Sequence, residues 1–158
     1  LVRKFVMHQN IKVGALKTIP VNSGERSVVP PSARFVMGGS GMPYGEMLRG
    51  YEENSVGPDG YYNAGNIMLK YSLEFRLSLS ESPTIYALTF AEAGNVWEDF
   101  NSVDPFNLKR SAGVGVRLFM PMLGMLGYDM GYGFDNVGNF ENDGPRGWEH
   151  HLIFGMPF

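Results

Sequence analysis

Met47-Leu48-Arg49-Gly50-Tyr51 lies inside a long segment rich in glycine and proline, between two strand-like runs. Gly50 permits a positive φ or a close approach of another stretch of backbone. The guanidinium of Arg49 presents five donors in a fixed arrangement that suits carboxylates. An arginine in a loop is usually solvated. Taken alone, Arg49 therefore fits either a surface loop or a loop that folds back onto acidic residues.

Composition limits the class of protein. The chain has 158 residues, enough for one domain with a sizeable core, and it has no cysteine for disulfides or thiol chemistry. Its net charge of −3, without a cluster of basic residues, argues against a nucleic-acid partner. No apolar run approaches the roughly 18 residues of a membrane-spanning helix, but a membrane strand needs only about 10 residues with alternate apolar positions.

Six segments alternate in polarity, and together they predict an all-β, antiparallel fold. The predicted strands span 1–16, 66–77, 84–95, 108–119, 125–134 and 148–158. Residues 66–77 alternate most strictly, with apolar residues from Ile67 to Phe75 on one face and polar residues, Glu74 among them, on the other. In 84–95 the alternation is blurred, so both faces are expected to be partly buried.

The connections between these strands alternate in length. Short turns are predicted at 78–83 and 121–124, and long loops at 17–65, 96–107 and 135–147. Outer-membrane barrels place their long loops at one end, whereas a soluble meander has no reason to do so. Six strands would leave open edges in lipid, and bacterial barrels begin at about eight strands. We therefore expect residues 1–158 to be the C-terminal portion of a larger transmembrane β-barrel.

With these strands and with several short motifs that follow one another in the same order, the chain resembles the C-terminal barrel region of the BamA family of outer-membrane protein assembly factors. Leu48-Arg49-Gly50-Tyr51 is similar to the family's Val-Arg-Gly-Phe/Tyr signature, with leucine in place of valine. Other landmarks, in chain order, are Phe35 to Ser40 with its Gly38-Gly39 pair, Glu92 to Trp97, Ser111 to Gly115 and Met120 to Gly124. The end, Phe154-Gly155-Met156-Pro157-Phe158, resembles the terminal β-signal of the family.

The resemblance implies a barrel of about sixteen strands in the outer membrane of a Gram-negative bacterium. The family inserts client outer-membrane proteins through a lateral seam without nucleotide hydrolysis, so the implied partners are those clients, outer-membrane lipids and accessory lipoproteins. Residues 20–65 would form a long lumenal or extracellular loop. A structural latch would hold it, formed by Arg49, Gly50 and Tyr51 with Glu74 and Glu92. The seam would involve Phe154, Gly155, Met156 and Phe158.

Alternatives stay open at this point. Two-partner-secretion transporters share part of the pattern, so a passive transporter or porin-like barrel is a second interpretation, and a soluble antiparallel β protein is a third. Catalysis is not expected, and neither a metal nor a cofactor is predicted. His150 and His151 would point to opposite faces of a strand, so they cannot chelate one metal together. Residues 38–41 are interpreted as a flexible turn, and acidic loop residues such as Glu53 as solvated charges.

Overall fold

The structure is a computed structural model that describes residues 4–19, 29–58, 64–122, 124–137 and 147–155. One antiparallel sheet of six strands runs in the order β1-β2-β3-β4-β5-β6, so the all-β, antiparallel prediction is confirmed. The strands are β1 (Phe5–Ala15), β2 (Ile67–Glu81), β3 (Thr84–Trp97), β4 (Lys109–Met120), β5 (Gly124–Gly133) and β6 (Gly147–Gly155). Within the described ranges, no helix has the length and apolar character needed to cross a membrane.

The hairpin between β2 and β3 is tighter than predicted. Residues 78–81 continue β2, so the turn is reduced to Ser82 and Pro83 instead of spanning 78–83. A register shift between Ser78 and Ser80 breaks the strict alternation, which is why the sequence pattern seemed to end early. At the other end of the hairpin, β3 extends to Trp97, whose side chain is buried rather than opening a polar loop.

The order of the strands places all long connections at one end of the sheet, as predicted. Residues 16–66, 98–108 and 134–146 join strands at that end, whereas the hairpin turns after β2 and β4 lie at the opposite end.

The two faces of the sheet differ in chemistry. We define the inner face as the one that carries Glu74, Glu92 and Asp129, and the outer face as its opposite. The outer face is apolar and exposed, and its apolar side chains meet across strands, as Met7 does with Phe75. Both faces of β3 are partly buried, as predicted, but unequally, because from Leu88 to Ala93 the inner positions are buried and the outer positions are exposed or half-buried. The alternation was blurred because the outer positions of β3 carry small residues: Ala87, Thr89, Ala91 and Ala93.

Two pairs of polar side chains on the outer face lie within hydrogen-bond distance of each other. The Gln9 amide donates to the hydroxyl of Tyr71 at 2.6 Å, and the hydroxyl of Tyr128 lies 2.7 Å from Nδ1 of His150. Such pairing lowers the free-energy cost of placing a polar side chain against an apolar medium.

Residues 35–58, which we call the docked loop, cover the inner face. The loop is folded rather than structureless, because Met37 bridges to both Glu46 and Val56, and Gly39 bridges to Leu48. The hydrophobic core lies between the docked loop and the sheet. Its buried members are Met37, Leu48, Tyr51, Val56, Met68, Val96 and Val137.

The prediction of a flexible turn at residues 38–41 is wrong. Gly38 and Gly39 are buried and have positive φ values, and a side chain at either position would collide with the rest of the docked loop. Glu53 accepts hydrogen bonds from the backbone N–H groups of Ser40 and Gly41 at 2.5 and 3.1 Å, so it is not a freely solvated charge. The close packing of the docked loop around Gly38 and Gly39 therefore leaves no room for a side chain at either position.

The exposed outer face generates a first prediction, because the sequence predicts that lipid covers it. Val114 lies near the middle of β4 on this face and is 48% exposed. We expect Val114→Arg to destabilise the protein in a bilayer by about 2–4 kcal/mol, since the guanidinium would enter hydrocarbon. Denaturant titration of the full-length protein in lipid vesicles measures this free energy of unfolding.

Asn10→Arg provides the matched control, because Asn10 lies on the inner face and lines a polar cavity. Equal losses of stability for the two variants would contradict a lipid-facing outer surface.

Candidate functional site

The docked loop inserts Arg49 into a cluster of carboxylates on the inner face. Arg49 is 1% exposed. Its Nη2 atom lies 2.7 Å from Glu74 on β2 and 2.7 Å from Glu92 on β3, and its Nη1 atom lies 3.0 Å from Asp129 on β5. The backbone N–H of Arg49 also donates to Glu92, at 2.9 Å. One side chain therefore links three strands to the loop.

Each of the three carboxylates also meets a second cation. The pairs are Glu74 with Arg76 (2.7 Å), Glu92 with Lys70 (3.6 Å) and Asp129 with Arg117 (2.6 Å). The attraction between such alternating charges offsets the free-energy cost of removing them from water. Removal of any one partner would leave a buried charge uncompensated.

The environment keeps Arg49 positively charged. Burial alone would lower the pKa of Arg49, but the attraction of Glu92, followed by that of Glu74 and Asp129, raises it above its usual value. The guanidinium also stacks on the ring of Phe90, with 3.7 Å between its central carbon and the ring centroid. Among the described residues, no group of three His, Asp or Glu side chains is placed to hold a metal ion.

Gly50 brings the backbone of the docked loop into contact with the backbone of β5. Gly50 has a φ of 86°, and a Cβ there would lie 2.9 Å from the nitrogen of Gly133. A Cβ at Gly131 would lie 2.6 Å from the nitrogen of Gly50. Real Cβ atoms do not approach backbone atoms so closely, so glycine at these positions permits the contact.

Tyr51 fastens the loop at the end of the sheet where the long connections lie. Its hydroxyl donates to the carbonyl oxygen of Arg110 at 2.6 Å and accepts a hydrogen bond from the backbone N–H of Asp135 at 3.3 Å. Burial raises the pKa of Tyr51 above its usual value, so the hydroxyl remains protonated and able to donate.

His151 extends these contacts to β6. Its Nε2 atom accepts a hydrogen bond from the backbone N–H of Gly50 at 3.0 Å, and its side chain is buried on the inner face. His150 lies on the outer face beside Tyr128, so the two histidines point to opposite faces as the sequence predicted.

The structure brings together most of the residues that the sequence singled out. Arg49, Gly50, Tyr51, Glu74 and Glu92 form one cluster, and Gly38 and Gly39 lie in the buried approach to it. Phe154 and Gly155 lie toward the hairpin end of the sheet, but they line the same cavity of about 340 Å³ as Arg49. Met156 and Phe158 lie outside the described residues.

Sequence reasoning missed six participants: Phe90, Arg117, Asp129 and His151, and the second cations Lys70 and Arg76. A signal existed for Asp129, because it is the one ionisable residue on an inner face of β5 that is otherwise rich in glycine. The tight turn after β4 fixes the register of β4 and β5, and this register would have placed Asp129 beside Gly115 and near Arg117. No comparable signal indicated the hydrogen bond from Gly50 to His151.

Comparison with known proteins identifies the family. The profile of the Omp85 superfamily domain matches residues 2–151. No curated protein matches the chain.

The carboxylate cluster generates a second prediction. In Arg49→Ala, each of the three acids keeps one cation but loses the guanidinium that all three share. We expect the docked loop to be released at a cost of about 3–5 kcal/mol of docking free energy, with the sheet still folded, because buried charges would be left uncompensated. Limited proteolysis of residues 20–65 in the full-length protein measures the release. Arg49→Lys should release the loop in part, since an ammonium group cannot reproduce the planar contacts.

Lys12→Ala is the matched control, because Lys12 also pairs with an acid, Glu46 of the docked loop, but its side chain is 50% exposed. An exposed ion pair contributes about 0–1 kcal/mol. Cleavage that is unchanged in Arg49→Ala, or equal in the two alanine variants, would contradict the role of the buried cluster.

The glycine contact generates a third prediction. Gly131→Ala should push the backbone of Gly50 away from β5 and increase cleavage of the docked loop, because the added methyl group meets backbone rather than a movable side chain. Met130→Leu, a neighbouring change of similar volume on the outer face, is the control and should leave cleavage unchanged. Equal protection of both variants would show that the backbone contact is dispensable.

Proposed function

Because the chain belongs to the Omp85 superfamily, we propose that it forms the C-terminal part of an outer-membrane β-barrel that folds and inserts client outer-membrane proteins. The superfamily includes insertases and secretion transporters. The observation that carries the proposal is the docked loop, which is tied to four of the six strands through Arg49 and Gly50 and stands beside an edge strand.

The edge strand supplies a means of recruiting a client. Within the described sheet, β6 pairs on one side only, with β5. Backbone N–H and C=O groups along the other side of β6 can pair with an incoming strand, which is the general mode of recognition by β-augmentation. In the proposed function this side of β6 belongs to the lateral seam, with Phe154 and Gly155 at the end of the strand.

The free energy for insertion would come from the client itself. A client strand gains backbone hydrogen bonds on pairing and buries apolar surface in lipid as its own barrel closes. The protein then needs no nucleotide or other cofactor. Its partners in this proposal are unfolded outer-membrane proteins, outer-membrane lipids and the accessory lipoproteins of an assembly complex, in a Gram-negative outer membrane.

The docked loop would act as an internal brace during this process. Arg49 holds β2, β3 and β5 at fixed positions relative to one another through ion pairs of 2.7 to 3.0 Å. A brace on these strands allows the neighbouring seam to open without distorting the rest of the wall. This role explains why the latch is built from buried charges rather than from groups that could perform a reaction.

A two-partner-secretion-type or porin-like transporter is the second candidate function. The cavity beside Arg49 favours it, because the charged and polar side chains of Ser72, Arg76 and Arg117 that also line this cavity would suit a pore that the docked loop plugs. In this alternative, release of the loop opens a path across the membrane rather than supporting insertion.

Reconstitution of the full-length protein into lipid vesicles distinguishes the two functions. We expect it to accelerate folding of a urea-denatured client barrel about tenfold or more over empty vesicles, measured by protease protection and altered gel mobility of the client. Each tenfold change in rate corresponds to about 1.4 kcal/mol of activation free energy. Arg49→Ala should reduce the acceleration.

Ion conductance of the same vesicles is the second readout. A wild-type protein that leaves client folding unchanged, together with an Arg49→Ala variant that conducts ions, would contradict the insertase and favour the transporter.

A further inference from the structure

The contact between Gly50 and His151 joins the docked loop to the edge strand. The salt bridges of Arg49 end on β2, β3 and β5. The hydrogen bond from the Gly50 N–H to Nε2 of His151, at 3.0 Å, extends the attachment to β6. His151 is 6% exposed, so water does not readily replace this bond.

This hydrogen bond depends on the protonation state of the His151 imidazole. Nε2 can accept a hydrogen bond only when it carries no proton, which requires the neutral tautomer with its proton on Nδ1. A second proton would turn Nε2 into a donor facing the N–H donor of Gly50. The bond would then be lost and two donors would oppose each other in a buried site.

Charged groups from every element around His151 act on its protonation. Asp129 is its cross-strand partner on β5, and Arg117 of β4 binds that aspartate. Glu53 and Arg49 of the docked loop and Glu92 of β3 also act on the ring. Burial of the ring is the largest of these effects and opposes the imidazolium, as Arg49 does, whereas the three carboxylates favour it.

We propose that His151 is the positioning residue through which the edge strand β6 holds the docked loop, and that protonation of His151 releases this hold. At low pH, β6 would then move independently of the docked loop, while the ion pairs that join Arg49 to the other strands persist. The link to opening of a seam rests on the proposed function, but the contact itself does not.

Ser111 offers a site for measuring the release. It lies on β4 beneath the loop, 2% exposed, and its Cβ would be 3.0 Å from a Cβ on Gly50. Within the part of the chain that the structure describes, its hydroxyl has no hydrogen-bond partner, so Ser111→Cys is a mild change. The chain has no cysteine of its own. In the full-length protein in outer-membrane vesicles, with any cysteines elsewhere replaced, the labelling rate of this thiol reports movement of Gly50.

Labelling is measured at about pH 8 and about pH 5, on either side of the usual histidine range. Each rate is divided by that of the exposed control Ser102→Cys at the same pH, which removes the intrinsic pH dependence of the thiol. With His151 intact, we expect the corrected rate to rise about tenfold at the lower pH.

Two variants separate protonation from simple packing. His151→Gln retains an oxygen acceptor that does not titrate, and it should keep the corrected rate low at both pH values. His151→Leu removes the acceptor and should give a high rate at both. A rate that does not change with pH when His151 is present, or that rises equally in His151→Gln, overturns the proposal.

Folding and function are checked separately. Altered gel mobility on heating shows whether each variant forms its barrel, and only folded protein is scored. Client folding in vesicles tests the insertase independently. If the wild type fails to fold clients while labelling follows the expected pattern, the proposed function is wrong and the role of His151 stands.

Discussion

The architecture depends on one buried cation placed among three acids that belong to different strands. A guanidinium removed from water is unfavourable by itself, and so is each carboxylate, but their mutual contacts and the second cation on every acid offset that desolvation. The arrangement is specific because a planar group with fixed donors satisfies all three acids only when the strands stand in one register. Arg49 thus determines how the docked loop and the sheet fit together, beyond what apolar burial of Met37 or Leu48 would determine.

Glycine contributes the second constraint. Gly50, Gly131 and Gly133 allow the backbone of the docked loop to lie directly on that of β5, at distances that any side chain would prevent. This contact fixes the depth at which the guanidinium enters the cluster. Gly131 and Gly133 also loosen β5, since glycine weakens a strand, and the loop replaces the packing that side chains at these positions would have supplied. Part of the glycine content of the chain therefore serves contact between two backbones rather than tight turns.

Much of the fold follows from the sequence, because alternation of period two and connection length are local properties of the chain. They gave the six strands, the end of the sheet at which the long loops lie, and the faces of Glu74 and Glu92. The hairpin at Ser82 was overestimated in length because the register shift after Ser78 hides the alternation. Asp129 and His151 were missed for a different reason. Their roles arise from register across several strands and from the depth of the loop, and neither quantity is encoded in any single segment. The resemblance placed Arg49 beside Glu74 and Glu92 and drew attention to the end of β6 as a seam, but it gave no reason to expect a contact between the docked loop and His151.

The separation along the chain between the loop and its anchors has a consequence for how the protein is made. Asp129 lies 80 residues after Arg49, and His151 lies 101 residues after Gly50. Contacts at such separations form late, because the intervening chain must be ordered first. The loop can attain its full set of contacts only after β5 and β6 have joined the sheet. A chain truncated before β5 would therefore keep Arg49 beside Glu74 and Glu92 but would lack Asp129, and it would also lack the acceptor that His151 offers to Gly50.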